Sequence, residues 1–192
     1  MTSAAFQTLR QFVPRAEEVE HCGLCGQALA PQHDHLIDPR ARKLMCSCQA
    51  CAILFDHPAA QYKRVPKRVR YAPECGIGDA EWDALMIPIG IAFFVRQGEG
   101  EGTRIAAYYP SPAGPVESLL TLESSAAFDG LERDTEALLV NRTARESFVL
   151  PIDECYRLVG LMRAHWKGLS GGEEVWREIH NFFGEMKGRA HA

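Results

Sequence analysis

Residues 22–51 open with Cys22-Gly23-Leu24-Cys25-Gly26, pass through His33-Asp34-His35-Leu36-Ile37-Asp38-Pro39 and close with Cys46-Ser47-Cys48-Gln49-Ala50-Cys51. Two Cys-x-x-Cys pairs with 22 residues between Cys25 and Cys48 have the spacing of a tetrahedral metal site. Each pair turns tightly enough to put two thiolates on one ion, and the intervening loop brings the halves together. Gly26 suits a knuckle whose backbone N–H groups point at the sulfurs, and a Cβ there is expected to crowd the turn. The spacing predicts a metal-knuckle module, zinc-ribbon or treble-clef-like, within residues 1–58, with Cys22, Cys25, Cys48 and Cys51 as ligands. Cys46 lies two residues before Cys48 and points to the same side of a strand, as a substitute ligand or a thiol beside the metal. His33 and His35 are the other substitutes, or surface residues that hydrogen-bond the thiolates.

Working outward, Leu44-Met45-Cys46 reads as a short strand and Ala50–Phe55 as a helical turn. Upstream, Phe6, Leu9 and Val13 share one face of an expected helix over 3–13, capped by Ser3 and ended by Pro14. Downstream, Pro58, Pro66, Pro73 and Gly76 mark residues 59–79 as a connector, with Cys75 an isolated thiol. The run Lys63, Arg64, Lys67, Arg68 and Arg70 reads first as a solvated face of that connector. With a net charge of −4 and no longer basic face, a nucleic-acid partner is not expected.

The remainder, 59–192, reads as an α+β domain. Asp79 caps a short helix with Trp82 and Leu85 inward. Gly90–Arg96 and Thr103–Tyr109 are rich in strand formers and flank Gln97-Gly-Glu-Gly-Glu-Gly102, a hairpin loop. Glu136–Arg142 and Ser147–Leu150 form a second hairpin, and a helix over Val116–Phe128 crosses between the two. Four strands predict one antiparallel sheet with one face on a core and helices on that face. After Pro151, Asp153 caps a helix with Tyr156, Val159, Leu161 and Met162 inward. A second helix, Glu173–Lys187, carries Val175, Trp176, Ile179, Phe182, Phe183 and Met186 on one stripe.

The apolar fraction is 46% and the charged fraction 24%, ordinary for a globular chain of 192 residues. No apolar run is long enough to span a membrane, and the first residues lack the pattern of a signal peptide. A cytoplasmic location follows as the expectation, and it favours thiolate–metal chemistry over disulfides.

Four thiolates close a zinc tetrahedron and leave no position for water, so structural zinc is the first reading and no catalytic residue is assigned. The first pair also resembles a rubredoxin knuckle, which would hold iron for electron transfer. The second pair lacks the Pro and Gly that rubredoxin places there. His33-Asp34-His35 with the flanking pairs resembles an HNH nuclease core, in which His35 would be the general base. The loop Arg40-Ala-Arg-Lys-Leu44 lacks the Asn of that motif, and His57 is the only nearby candidate for its metal-binding His. Tyr108–Pro115 is either a pocket-lining loop, with Glu117 and Ser118 beside it, or a tight crossover. Ser111 lacks the frame of a nucleophile elbow, and Ser170-Gly-Gly-Glu173 reads as a helix cap rather than an anion loop.

Several segments together resemble a bacterial family known as domain of unknown function family 5947. They are His21–Gly26, His35–Asp38, Cys48–Phe55, Ile91–Phe94, Tyr109–Gly114, Glu136–Arg142, Pro151–Leu161 and Gly171–Ile179. Members are similar to proteins encoded beside [NiFe]-hydrogenase genes and their maturation factors. The resemblance implies an accessory role, with a hydrogenase subunit or maturation factor as partner.

Overall fold

A computed structural model describes residues 19–57, 60–73, 76–98, 102–118, 126–168 and 170–191. The helix expected over 3–13 and Cys75 lie outside the described residues. Along the chain, strands β1 (Asp34–Asp38) and β2 (Lys43–Ser47) are followed by helix α1 (Gln49–Leu54) and the two-residue strands β3 (Lys63–Arg64) and β4 (Arg70–Tyr71). Helix α2 (Asp79–Ala84), strands β5 (Ile91–Gln97), β6 (Arg104–Ser111) and β7 (Gly114–Glu117), and helix α3 (Ala126–Asp129) come next. Strands β8 (Glu136–Asn141) and β9 (Glu146–Pro151) lead into helices α4 (Ile152–His165) and α5 (Gly172–Ala190). The architecture is mixed α+β, and its sheets are antiparallel.

The larger sheet has the order β4-β9-β8-β5-β6-β7. Both expected hairpins form and pair through β5 and β8, with Phe94 opposite Leu138. Two edges were not foreseen. Strand β7 turns back on β6 through Pro110 and Pro115, so the Tyr108–Pro115 segment is a tight hairpin and not a crossover. Residues 114–117 are therefore strand where a helix from Val116 was expected, Ala126–Asp129 at its far end is helical, and residues 119–125 lie outside the described residues.

Both faces of this sheet are covered, which corrects the expectation of helices on one face. Phe93, Val95, Leu139, Phe148 and Leu150 face α4 and α5, while Phe94, Ala107, Leu138 and Val140 pack with Trp82, Leu85, Phe128 and Leu131 on the other side. The physical reason is legible in Ile91-Ala-Phe-Phe-Val95: a continuous apolar run, with no polar alternation, buries both of its faces.

In α4 the buried stripe is Ile152, Cys155, Leu158, Val159 and Met162, so the expected Val159 and Met162 are buried while Tyr156 and Leu161 pack at its margin and Ile152, Cys155 and Leu158 were not expected. Its cap is also different: Pro151 precedes the helix without a side-chain cap, and Asp153 accepts from the Glu154 N–H at 2.9 Å. Helix α5 buries its expected stripe except Trp176, which is half-exposed and donates Nε1–H to the Ser170 carbonyl. Gly171 begins that helix at φ 87°, with no side-chain cap. A Cβ there would lie 2.8 Å from Val175 Cγ1 and 3.1 Å from the Trp166 ring.

The smaller sheet has the order β2-β1-β3. Its turn is held by Asp38, whose carboxylate accepts from the backbone N–H groups of Arg40 and Ala41 and from Gln61 Nε2. Strand β3 lies beyond residue 58, and β4 joins β9, so the connector links the two sheets instead of bypassing them.

The basic run within it is consumed by buried carboxylates. Lys63 meets Asp134, Arg64 and Lys67 share Asp34, and Arg68 and Arg70 meet Glu136. Glu136 is 0% exposed, and the cations that neutralise it and Asp34 reach in from the surface, Lys67, Arg68 and Arg70 remaining exposed. The run is therefore solvated as expected, and it is also ion-paired to buried carboxylates, which was not expected.

Candidate metal centre

Three short elements bring the cysteines together. Residues 21–28 form a hairpin bend, in which Cys22 N–H donates to the Gln27 carbonyl at 2.8 Å and Gly26 N–H to the Cys22 carbonyl at 2.9 Å. Gly26 adopts φ 74°, and a Cβ there would meet nothing within 4 Å. Glycine is needed for that backbone conformation and not for space, which corrects the crowding expectation. Gly23 N–H donates to the Cys46 carbonyl at 2.9 Å, so the end of β2 is tied to the bend. The second pair sits at the start of α1: Cys48 is its N-cap, its sulfur accepting from Cys51 N–H at 3.4 Å.

The four sulfurs of Cys22, Cys25, Cys48 and Cys51 all lie within 4.8 Å of one another. Cys25 Sγ and Cys48 Sγ are 3.7 Å apart. The edge of a zinc–thiolate tetrahedron is about 3.8 Å, given Zn–S bonds of about 2.3 Å. The donor set therefore fits a metal ion with no donor left over. Cys22, Cys48 and Cys51 are buried and Cys25 is exposed, with Leu24, Leu29 and Phe55 packed round the cluster.

The thiols hold their protons unequally. Burial pushes the Cys22 thiol up, but backbone N–H groups of Cys48, Cys25 and Leu24 outweigh it and bring the pKa down to about 6. The neighbouring Cys48 sulfur, with burial, pushes Cys51 up to about 12. Cys22 thus forms a thiolate readily while Cys25 and Cys51 resist, which is the electrostatic problem that a divalent cation removes.

His33 and His35 do not hydrogen-bond the four cysteines. His33 Nδ1 pairs with the Ala30 carbonyl at 2.8 Å and His35 Nδ1 with Asp153 Oδ2 at 2.8 Å. With Cys46 they form a separate group of converging ligand atoms. His57 is exposed and belongs to neither group.

A polar cluster lies between the sheets, where Tyr108, Pro115 and Glu117 line a cavity as the pocket-lining reading of Tyr108–Pro115 expected, while Arg42 and Arg104 were not foreseen. Arg42 Nη1 reaches Tyr108 Oη at 2.8 Å and Glu117 Oε2 at 2.7 Å, and Arg104 holds Glu117 Oε1 at 2.7 Å. Tyr108 and Glu117 line a cavity of about 330 Å³ with Phe93 and Tyr156. Burial raises the Glu117 pKa, but hydrogen bonds from Arg104 and Arg42 outweigh it and the carboxyl stays below its usual range. A carboxylate so held is a poor general base at neutral pH. The signal available in the sequence was the alternation of Tyr108 with Pro110 across the hairpin from Glu117 and Pro115.

No helix among the described residues is long and apolar enough to cross a membrane. No curated protein and no solved structure matches the chain. A family model described as "Family of unknown function (DUF5947)" matches residues 21–190, a span that holds both the cysteine cluster and the sheet, and the chain belongs to that family.

Proposed function

We propose that this protein is a zinc-binding, non-enzymatic accessory protein that works by holding a protein partner. A [NiFe]-hydrogenase subunit or maturation factor is the partner we propose. The observation that carries the metal reading is the convergence of four sulfurs at tetrahedral spacing. Four protein thiolates fill zinc's coordination shell, so the ion organises a small loop-rich fold and leaves no vacancy there for water. A knuckle bend, a hairpin and a helix whose first turn carries the second pair favour the treble-clef form over a ribbon. Zinc is preferred to iron because Gln49 and Ala50 stand between the second pair, where a rubredoxin knuckle has different residues.

The partner half rests on the resemblance to proteins encoded beside hydrogenase genes. Ile53 and Leu54 on α1 are exposed apolar residues of the metal module and offer a surface for that partner. Elemental analysis is expected to find zinc retained at the four-cysteine site; iron in its place would favour electron transfer. The tagged full chain, used as bait in its native host, is expected to recover a hydrogenase component. Recovery of none would contradict the partner assignment, and an unchanged yield with Ile53→Ser/Leu54→Ser would contradict the surface.

A further inference from the structure

His35 stands directly opposite Cys46 in the β1–β2 pairing, and His33 precedes His35 by two residues. Residues so related project from one face of a hairpin. One ring nitrogen of each histidine and the Cys46 sulfur lie within 4.8 Å of one another, and the two imidazoles meet edge-on with centroids 4.8 Å apart. None of the three belongs to the four-cysteine cluster.

The hydrogen bonds set both rings in the same tautomer. A carbonyl oxygen can only accept, so His33 Nδ1, 2.8 Å from Ala30 O, carries its proton. The Asp153 carboxylate does the same for His35 Nδ1. In the neutral rings each Nε2 is then a bare lone pair. His33 Nε2 is buried without a hydrogen-bond partner, on a side chain only 7% exposed. The nearest charge is Glu20 Oε2 at 3.5 Å, too long for a good hydrogen bond and on a side chain 59% exposed, so it does not satisfy this atom. A buried acceptor with no donor is costly, and an imidazole whose other nitrogen is tied to a carboxylate or carbonyl is the usual arrangement of a metal-ligating histidine.

We propose that His33 Nε2, His35 Nε2 and Cys46 Sγ form a second metal site, distinct from the four-cysteine cluster, for a zinc-class divalent cation. Two imidazoles and one thiolate suit a borderline-soft ion. Binding converts the Cys46 thiol to thiolate and releases its proton to solvent. Three protein ligands leave a fourth position, and both histidines line a cavity of about 430 Å³ with Pro66, Asp153 and Glu154. This site differs in kind from a closed structural centre, and it goes beyond the proposed accessory role.

Cobalt titration of the metal-free full chain, followed by absorption and checked by elemental analysis, tests it. Two equivalents are expected to bind. The second should add about a quarter of the sulfur-to-cobalt intensity of the first, since it has one thiolate instead of four. Cys46→Ser and, separately, His33→Ala should each abolish the second equivalent and leave the four-thiolate spectrum intact. One equivalent in the wild-type chain would overturn the proposal while leaving the four-cysteine reading untouched. Loss of the four-thiolate spectrum in both variants would overturn it in favour of a single shared site. A wild-type second equivalent that survives both substitutions would place that ion elsewhere and overturn it too.

Discussion

The cysteine cluster and the large sheet are held together by different physics. The large sheet is sandwiched between two apolar clusters, with Phe93, Leu139, Phe148 and Leu150 on one side and Phe94, Leu138 and Phe128 on the other. Round the cysteines, among the described residues, Leu24, Leu29 and Phe55 pack against three buried sulfurs, and the adjacent helix leaves Ile53 and Leu54 in solvent, while Ile37 and Leu44 of the small sheet join the large core. Apolar burial at about 25 cal/mol per Å² sustains the large sheet, whereas so few side chains round the cysteines offset little chain entropy there. The ion proposed for the four thiolates would make up that deficit, and on that reading one chain divides its stability between a self-sufficient core and a module whose fold is a ligation equilibrium.

Removing the metal should break this comparison most sharply. Structural zinc binding contributes about 10 kcal/mol or more to the fold it organises. Chelation is expected to release amide protection across residues 22–54 in hydrogen-exchange mass spectrometry, while β5, β8 and β9 keep theirs. Uniform loss across both sheets would mean that the large one is not self-sufficient. Next in size, Leu139→Ala opens a cavity at a fully buried position and should cost about 3 kcal/mol in denaturant unfolding. Its metal affinity should not change, because no apolar contact of the cysteine cluster is touched.

The connector joins the regions, and Arg68→Ala probes it. Arg68 Nε holds the buried Glu136 carboxylate at 2.8 Å, and Arg70 remains only at 3.4 Å. Leaving that carboxylate poorly paired should cost about 2 kcal/mol, read from the denaturant midpoint. Arg68→Lys should recover part of it.

The smallest effect belongs to the surface. Hydrogen bonds from Lys167 and His165 lower the Glu174 pKa from 4.5 to about 2. A depressed carboxyl stabilises the fold above its unfolded pKa, and that contribution fades as pH falls from 4.5 towards 2. Glu174→Gln should therefore lower stability slightly at neutral pH. The difference from wild type should vanish near pH 2, as thermal melts across that range will show.

Local pattern made some of this legible. The paired Cys-x-x-Cys motifs, the two long hairpins and the stripe of α5 follow from spacing and periodicity alone. The apolar run at Ile91–Val95 also carries the signal of burial on both faces, although one covered face was expected of its sheet. What sequence could not show depends on long-range register. Lys63 to Arg70 read as a solvated run, and nothing local shows that Asp34, Glu132 and Glu136 arrive from distant elements to neutralise them. Likewise, His35 and Cys46 are eleven residues apart and become neighbours only through the register of β1 on β2. The hairpin at Pro110–Pro115 was obscured because proline is a poor strand former, yet both prolines sit at the end of an edge ladder, where a missing N–H costs little.

The most direct measurement is X-ray absorption at the zinc edge of the full chain loaded with one equivalent of metal. The account predicts four sulfur neighbours at about 2.3 Å and no light-atom neighbour in the first shell. A first shell containing nitrogen or oxygen, or a chain that retains no metal, would contradict it.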